Sequence, residues 1–239
     1  MKKMKWMTLL LAATMLAGCG SSEEPTQAEV KQDVQVQEEL DEQSAMGEKY
    51  APQISAYRTA LAEKWDMDEY FARDMSPLAV YYYDNNGLEN VGYAILDLNN
   101  DGGQELLIGA ISSADEDPVL FELWTLDANK EPVKLLTSYE RNRYYLQQHE
   151  EGVYMLENQG SNGAANFAHH YYTVENGELK VQQAIIFDAV ADEENPWFMA
   201  YDDDWDTSND TPIDEETAMG IIEANANMTI VPPFIPFSE

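Results

Sequence analysis

From Val91 to Phe187 the apolar residues fall on alternate positions, in short segments parted by clusters of Asp, Asn, Gly and Glu. Alternation with a period of two puts one side of each segment against a core and the other toward water, the signature of half-buried β-strands. The spacing predicts eight of them: 91–98, 104–111, 119–126, 133–139, 143–148, 153–157, 167–174 and 179–187. Between them lie Asp127-Ala128-Asn129-Lys130, Glu150-Glu151-Gly152 and Glu175-Asn176-Gly177-Glu178. Asn-Gly between alternating segments is the strongest local hairpin signal, because both residues tolerate positive φ. Turns this close together favour neighbouring antiparallel strands over crossover connections, so a β meander of about 6–8 strands is expected.

Before the meander, Tyr50, Ile54, Tyr57 and Leu61 recur at helical spacing, predicting an amphipathic helix over 49–65 with Pro52 in its first turn. A polar hinge with a helical turn through Tyr70 and Phe71 should follow. Near the end, Thr211 reads as the N-cap of a helix carrying Met219, Ile222 and Ala226. The proline-rich tail "TIVPPFIPFSE" reads as packed along the domain. The fold class is therefore α+β: one domain over 49–239, with a helix before and after the sheet.

The N-terminus has a different character. Lys2, Lys3 and Lys5 precede an uncharged stretch from Trp6 to Gly18, too short to span a bilayer, and residues 1–18 read as an export signal. Leu16-Ala17-Gly18-Cys19 resembles the lipobox of bacterial lipoproteins. That resemblance implies cleavage before Cys19, lipidation of its sulfur, and attachment to the extracytoplasmic face of the cell membrane. Cys19 is the sole cysteine, so the exported fold holds no internal disulfide. Residues 19–48 are rich in Ser, Glu, Gln and Asp and read as a disordered acidic tether.

Charge narrows the partners. Thirteen Lys and Arg against 45 Asp and Glu give −32, and loss of the three signal-peptide lysines takes the mature chain to −35. Such a surface repels nucleic acid and favours cations, basic peptides or neutral glycans.

Within the meander, Asp97, Asn99, Asp101, Gly102, Gly103 and Glu105 stand at positions 1, 3, 5, 6, 7 and 9 of a calcium-loop pattern. Alternate oxygens converge on one point while Gly102 permits the sharp turn. Ile108 stands where an EF-hand needs its bidentate acid, and the flanks read as strands, so this is no EF-hand. The segment resembles the calcium hairpins of integrin-type β repeats. More closely, Tyr93 to Ile108 resembles the "YAxxDxNxDGxxELLI" segment of uncharacterised Firmicutes lipoproteins, often followed by a stretch like Gly160-Ser161-Asn162-Gly163-Ala164. The resemblance implies a structural calcium held by Asp97, Asn99, Asp101, Gly103 and Glu105, and no activity. The other reading is a turn whose Asp and Asn bond their own backbone.

Asp202, Asp204, Asp206 and Asp210 repeat that spacing without the glycine and read as a solvated acidic loop. Beside them Trp197, Tyr201 and Trp205 are candidate glycan-stacking residues, or a cap on the core. On a strand His169 and His170 face opposite sides and cannot share a metal. A Ser161–His169–Asp188 triad can be drawn, but no nucleophile-elbow pattern supports it. Gly160 to Ala165 reads as a wide turn. The chain is short for a two-lobed solute receptor and shows no βα alternation. The expected function is a non-catalytic, membrane-anchored binding or structural module; the alternative is a cell-envelope glycan or peptidoglycan hydrolase using carboxylates of the 197–210 loop.

Overall fold

The computed structural model describes residues 47–111, 118–150 and 152–239. The signal peptide, Cys19 and nearly all of the tether lie outside the described residues.

Helix α1 spans Ala51–Glu63 with proline in its first turn and ends at Lys64, a left-handed cap whose N–H bonds the Ala60 carbonyl. Tyr57, Ala60 and Leu61 are its buried face. The helical turn expected at Tyr70 is α2, Met67–Phe71. Its start is fixed by reciprocal bonds: Asp66 accepts from the Glu69 N–H at 2.9 Å, and Glu69 accepts from the Asp66 N–H at 3.0 Å. A 3-10 helix over Pro77–Asn85 and a single turn, α3, Gly87–Asn90, carry the chain into the sheet.

All eight expected strands form: β1 Val91–Leu96, β2 Glu105–Ala110, β3 Leu120–Leu126, β4 Pro132–Thr137, β5 Asn142–Glu150, β6 Val153–Gly163, β7 Asn166–Glu175 and β8 Glu178–Asp188. At the β7–β8 turn Asn176 and Gly177 have φ of 53° and 76°, as a primed hairpin turn requires.

The expectation of 6–8 strands is too low, for the sheet has eleven. The others are β9 Trp197–Ala200, β10 Thr211–Pro212 and β11 Ile235–Pro236. They are too short to show a period, and two of them contain proline. Pro212 and Pro236 lie on the two outermost strands, where a missing N–H costs no ladder bond and discourages further pairing. Thr211, expected as the helix cap, is thereby taken into the sheet. Asp214 caps the C-terminal helix α4, Glu215–Ala226, accepting from the Thr217 N–H at 2.7 Å. Gly160 is likewise in strand β6 rather than in a wide turn.

Every strand pairing is antiparallel, in the order β10-β9-β8-β7-β6-β5-β3-β2-β1-β11, with β4 also against β3. β5 touches β3 through a single pair, Leu120 with Tyr144. The C-terminal tail bridges that weak seam. Ile230 N–H bonds the Leu146 carbonyl of β5 at 2.9 Å, while Ile235 and Pro236 pair with β1.

Helix α1 covers one side of β1–β3, with Tyr57, Leu61, Leu106, Ile108, Phe121 and Phe237 in one core. On the other side Leu107, Leu123, Leu146 and Leu156 pack with Phe234 and Ile230 of the tail. Beyond the seam, Tyr171, Ile185, Trp197 and Ala218 of α4 form a third core.

Candidate binding cleft

The Asp97–Glu105 turn closes on itself. Asp97 accepts from the N–H groups of Asn99 (3.3 Å) and Gly102 (3.0 Å), and Asp101 accepts from Gly103 (2.6 Å) and from the Asn99 amide (2.9 Å). Asn100 donates to the Gly152 carbonyl, tying the turn to the β5–β6 hairpin. Glu105 points inward, 2 % exposed, and accepts from the Leu98 N–H (3.0 Å) and the Thr125 hydroxyl (3.1 Å). Burial raises its pKa despite both donors. The side-chain oxygens of Asp97, Asn99 and Asp101 thus serve N–H groups of the turn itself, and Glu105 is committed elsewhere. Among the described residues no group of three or more His, Cys, Asp or Glu side chains is arranged to hold a metal ion.

The three candidate aromatics do not come together. Trp197 is 7 % exposed and stands edge-on to Phe167 and Phe187 (centroids 5.7 and 5.0 Å), inside the core under α4. Tyr201 is two-thirds exposed, with only the Met199 sulfur as partner. Trp205 crosses to the other side of the sheet and settles on Gly160. A Cβ built on that glycine would lie 3.0 Å from the indole Cζ2, so glycine is what admits the ring.

Strand register sorts the neighbouring side chains into two rows. Tyr144, Asn158 and His170 are successive cross-strand partners on the Trp205 side. Arg143, Gln159 and His169, one residue along each strand, project to the opposite side. The two histidines accordingly face opposite ways, as the sequence requires.

On the Trp205 side a cleft of about 420 Å³ is lined by Tyr144, Asn158, His170, Tyr172, Asp203 and Trp205, with Asn142 and Asn162 at its end. The His170 ring lies 5.8 Å from that of Trp205 and 6.2 Å from that of Tyr172, centroid to centroid. His170 is only 2 % exposed. The Asp204 main chain is close, yet neither ring nitrogen makes a well-formed hydrogen bond. Burial pushes its pKa below the ordinary imidazole range, outweighing the nearby Asp203 and Asp202, so the ring is neutral at pH 7. A neutral imidazole has one donor and one acceptor, and leaving such groups unmatched costs about 1–3 kcal/mol each. Asn158 is anchored by donating to Asn142 and to the Arg143 carbonyl.

The opposite side carries a polar network. Glu157, 1 % exposed, accepts from the Gln147 amide at 3.0 Å and lies 2.7 Å from His169 Nδ1. Gln159 donates to it at 3.4 Å. The imidazole's carboxylate is therefore Glu157 and not Asp188, whose oxygens serve Val190, Ala191 and Thr207. Ser161 Oγ is engaged with Gly163, so the triad drawn from the sequence is not assembled.

Two carboxyls, Glu105 and Glu122, are pushed up mainly by burial within the sheet. By strand parity Glu105 shares a face with Leu107 and Leu123, whereas Glu122 pairs with Ile108 on the α1 face. They do not confront each other across a cleft. Glu122 instead receives the Ser76 N–H (3.0 Å), the Trp124 indole (2.8 Å) and the Lys134 ammonium (3.5 Å), bracing the start of the 3-10 helix to the sheet.

Sequence reasoning missed Glu157, His170 and Gly160 as a group. Their relation exists only through the β6–β7 register; the one legible signal was the polar Gly160–Ala164 stretch. No protein-family model, curated protein or solved structure matches the chain.

Proposed function

We propose that this chain is an extracytoplasmic lipoprotein, anchored through a lipidated Cys19, whose domain binds a glycan without transforming it. The observation that carries this reading is the cleft beside Trp205, an indole seated on Gly160 and surrounded by Asn158, Asn162, Tyr172 and the buried His170 ring. A sugar offers an apolar C–H face for Trp205 and hydroxyls or an acetamido group for the Asn158 and Asn162 amides of the cleft. Those are neutral interactions, compatible with a chain of −32. Calorimetric titration with chitobiose, a neutral disaccharide of N-acetylglucosamine, tests it. Binding that disappears in Trp205→Ala supports the cleft; no binding by the unaltered protein overturns it.

The anchor is tested separately by fractionating Cys19→Ser cells, where retention in the membrane would refute lipidation. Among the described residues no helix is long and apolar enough to cross a membrane. Calcium enters this account as a structural brace of the Asp97–Glu105 turn, held by Asp97, Asn99, Asp101 and the Gly103 carbonyl. The hydrolase alternative has less support: burial and the neighbouring Asp202, Asp204 and Asp206 raise Asp210 in its loop, but glycoside cleavage calls for two carboxyls facing one cleft, and among the described residues Asp203 is the one acid lining the cleft beside Trp205.

A further inference from the structure

The Trp205 cleft does not end at Gly160. Arg141, Gly160 and Ser161 line both it and a second groove, of about 700 Å³, on the opposite side of β5–β7. The two form a saddle around the end of the sheet, where β5 begins and β6 runs on to Gly163. The second groove is chemically unlike the first, for it holds Arg141 and Arg143 alongside His169.

Only nine Lys and Arg occur from residue 47 onward. Lys49, Lys134 and Lys180 are in ion pairs, and Arg73 lies 4.0 Å over the Trp65 ring. The guanidinium groups of Arg141 and Arg143 make no ion pair or hydrogen bond among the described residues, although 45 acids surround them in the sequence. The acids of the groove are already disposed. Glu157 is buried beneath His169, Gln147 and Gln159, and Glu140 stands beside Arg141 on the rim. Glu157 also fixes the His169 ring through Nδ1, leaving Nε2 for a ligand hydroxyl.

We propose that the ligand is an acidic sugar, one residue stacked on Trp205 and the carboxylate of the next reaching Arg141 and Arg143 around the saddle. This rests on the glycan reading above and extends it. Guanidinium forks match a carboxylate in two parallel hydrogen bonds. A single negative charge suits the site better than a doubly charged phosphate, because the rest of the surface repels anions.

The test compares two disaccharides of the same linkage at low salt, glucosyl-N-acetylglucosamine and glucuronyl-N-acetylglucosamine, which differ only at C6, a hydroxymethyl group against a carboxylate. The acidic sugar should bind at least about tenfold more tightly, a difference of about 1.4 kcal/mol. Raising the salt should erode that advantage. In Arg141→Ala/Arg143→Ala the two affinities should become equal while binding of the neutral sugar is retained. Equal affinities in the unaltered protein overturn this inference and leave the neutral-glycan cleft standing. Failure of both sugars to bind overturns the cleft itself.

Discussion

Gly160 lies beneath the indole of Trp205, so close that a methyl group there would push the ring back by a few tenths of an ångström. A Cβ there would approach Cζ2 to 3.0 Å and the Asn158 Oδ1 to 3.3 Å. Trp205 sits in a loop and is free to retreat, so Gly160→Ala should disturb the cleft more than the fold. We expect chitobiose affinity to fall about tenfold, or about 1.4 kcal/mol, while the melting temperature changes little. Tryptophan fluorescence reports both. Unchanged affinity would separate the indole from the binding site.

A pair of glycines makes a tighter demand. Gly92 and Gly109 are cross-strand partners, and a Cβ on Gly109 would lie 2.6 Å from the Val119 carbonyl and 2.9 Å from Phe234. The backbone of a neighbouring strand does not yield as a loop does. Gly109→Ala should therefore cost about 1–3 kcal/mol in urea unfolding. Phe237→Ala, which empties a buried ring position packed on Tyr57, should cost about 3–5 kcal/mol. Loss of less than about 0.5 kcal/mol in both would contradict a tail that locks the seam.

The pH dependence follows from Glu105 and Glu122. Burial raises both above their ordinary 4.5, so between that value and the raised one the folded state keeps a proton that the unfolded chain releases. Stability then falls as pH rises through this window. Self-repulsion of the acidic surface acts in the same direction. The melting temperature should be higher at pH 5 than at pH 8. Glu122→Gln should reduce that difference while lowering stability at both values, because an amide cannot accept from Ser76, Trp124 and Lys134 together. An undiminished difference would clear Glu122 of the effect.

Calcium is checked by melting in chelator and in several millimolar calcium. A ligand bound at 100 times its dissociation constant adds about 2.7 kcal/mol. The upward shift should vanish in Asp97→Ala and persist in Glu105→Gln, whose carboxyl serves Leu98 and Thr125. No shift in the unaltered protein would leave the turn as a self-bonded loop of Asp and Asn.

Much of the fold was legible because alternation is a local signal. Eight strands, α1 and the Asn176-Gly177 turn follow from neighbours within a few residues of each other. The missing strands are Trp197–Ala200, Thr211–Pro212 and Ile235–Pro236, where pairing is decided by distant chain and not by period. The same cause hid the site. That His169 and His170 oppose each other is plain from parity. That one meets Glu157 and the other Trp205 depends on the β6–β7 register and on the path of the loop after β9. Trp197 and Trp205 look alike in sequence, yet β9 carries the first into the core and the loop delivers the second to the opposite face.

The most direct test of the cleft is nitrogen NMR of the histidine rings during a chitobiose titration. The glycan reading predicts that the His170 ring resonances shift to saturation as the sugar fills the cleft beside Trp205, and that they move more than those of His169 on the far side. A silent His170, or a response at His169 alone, would contradict it.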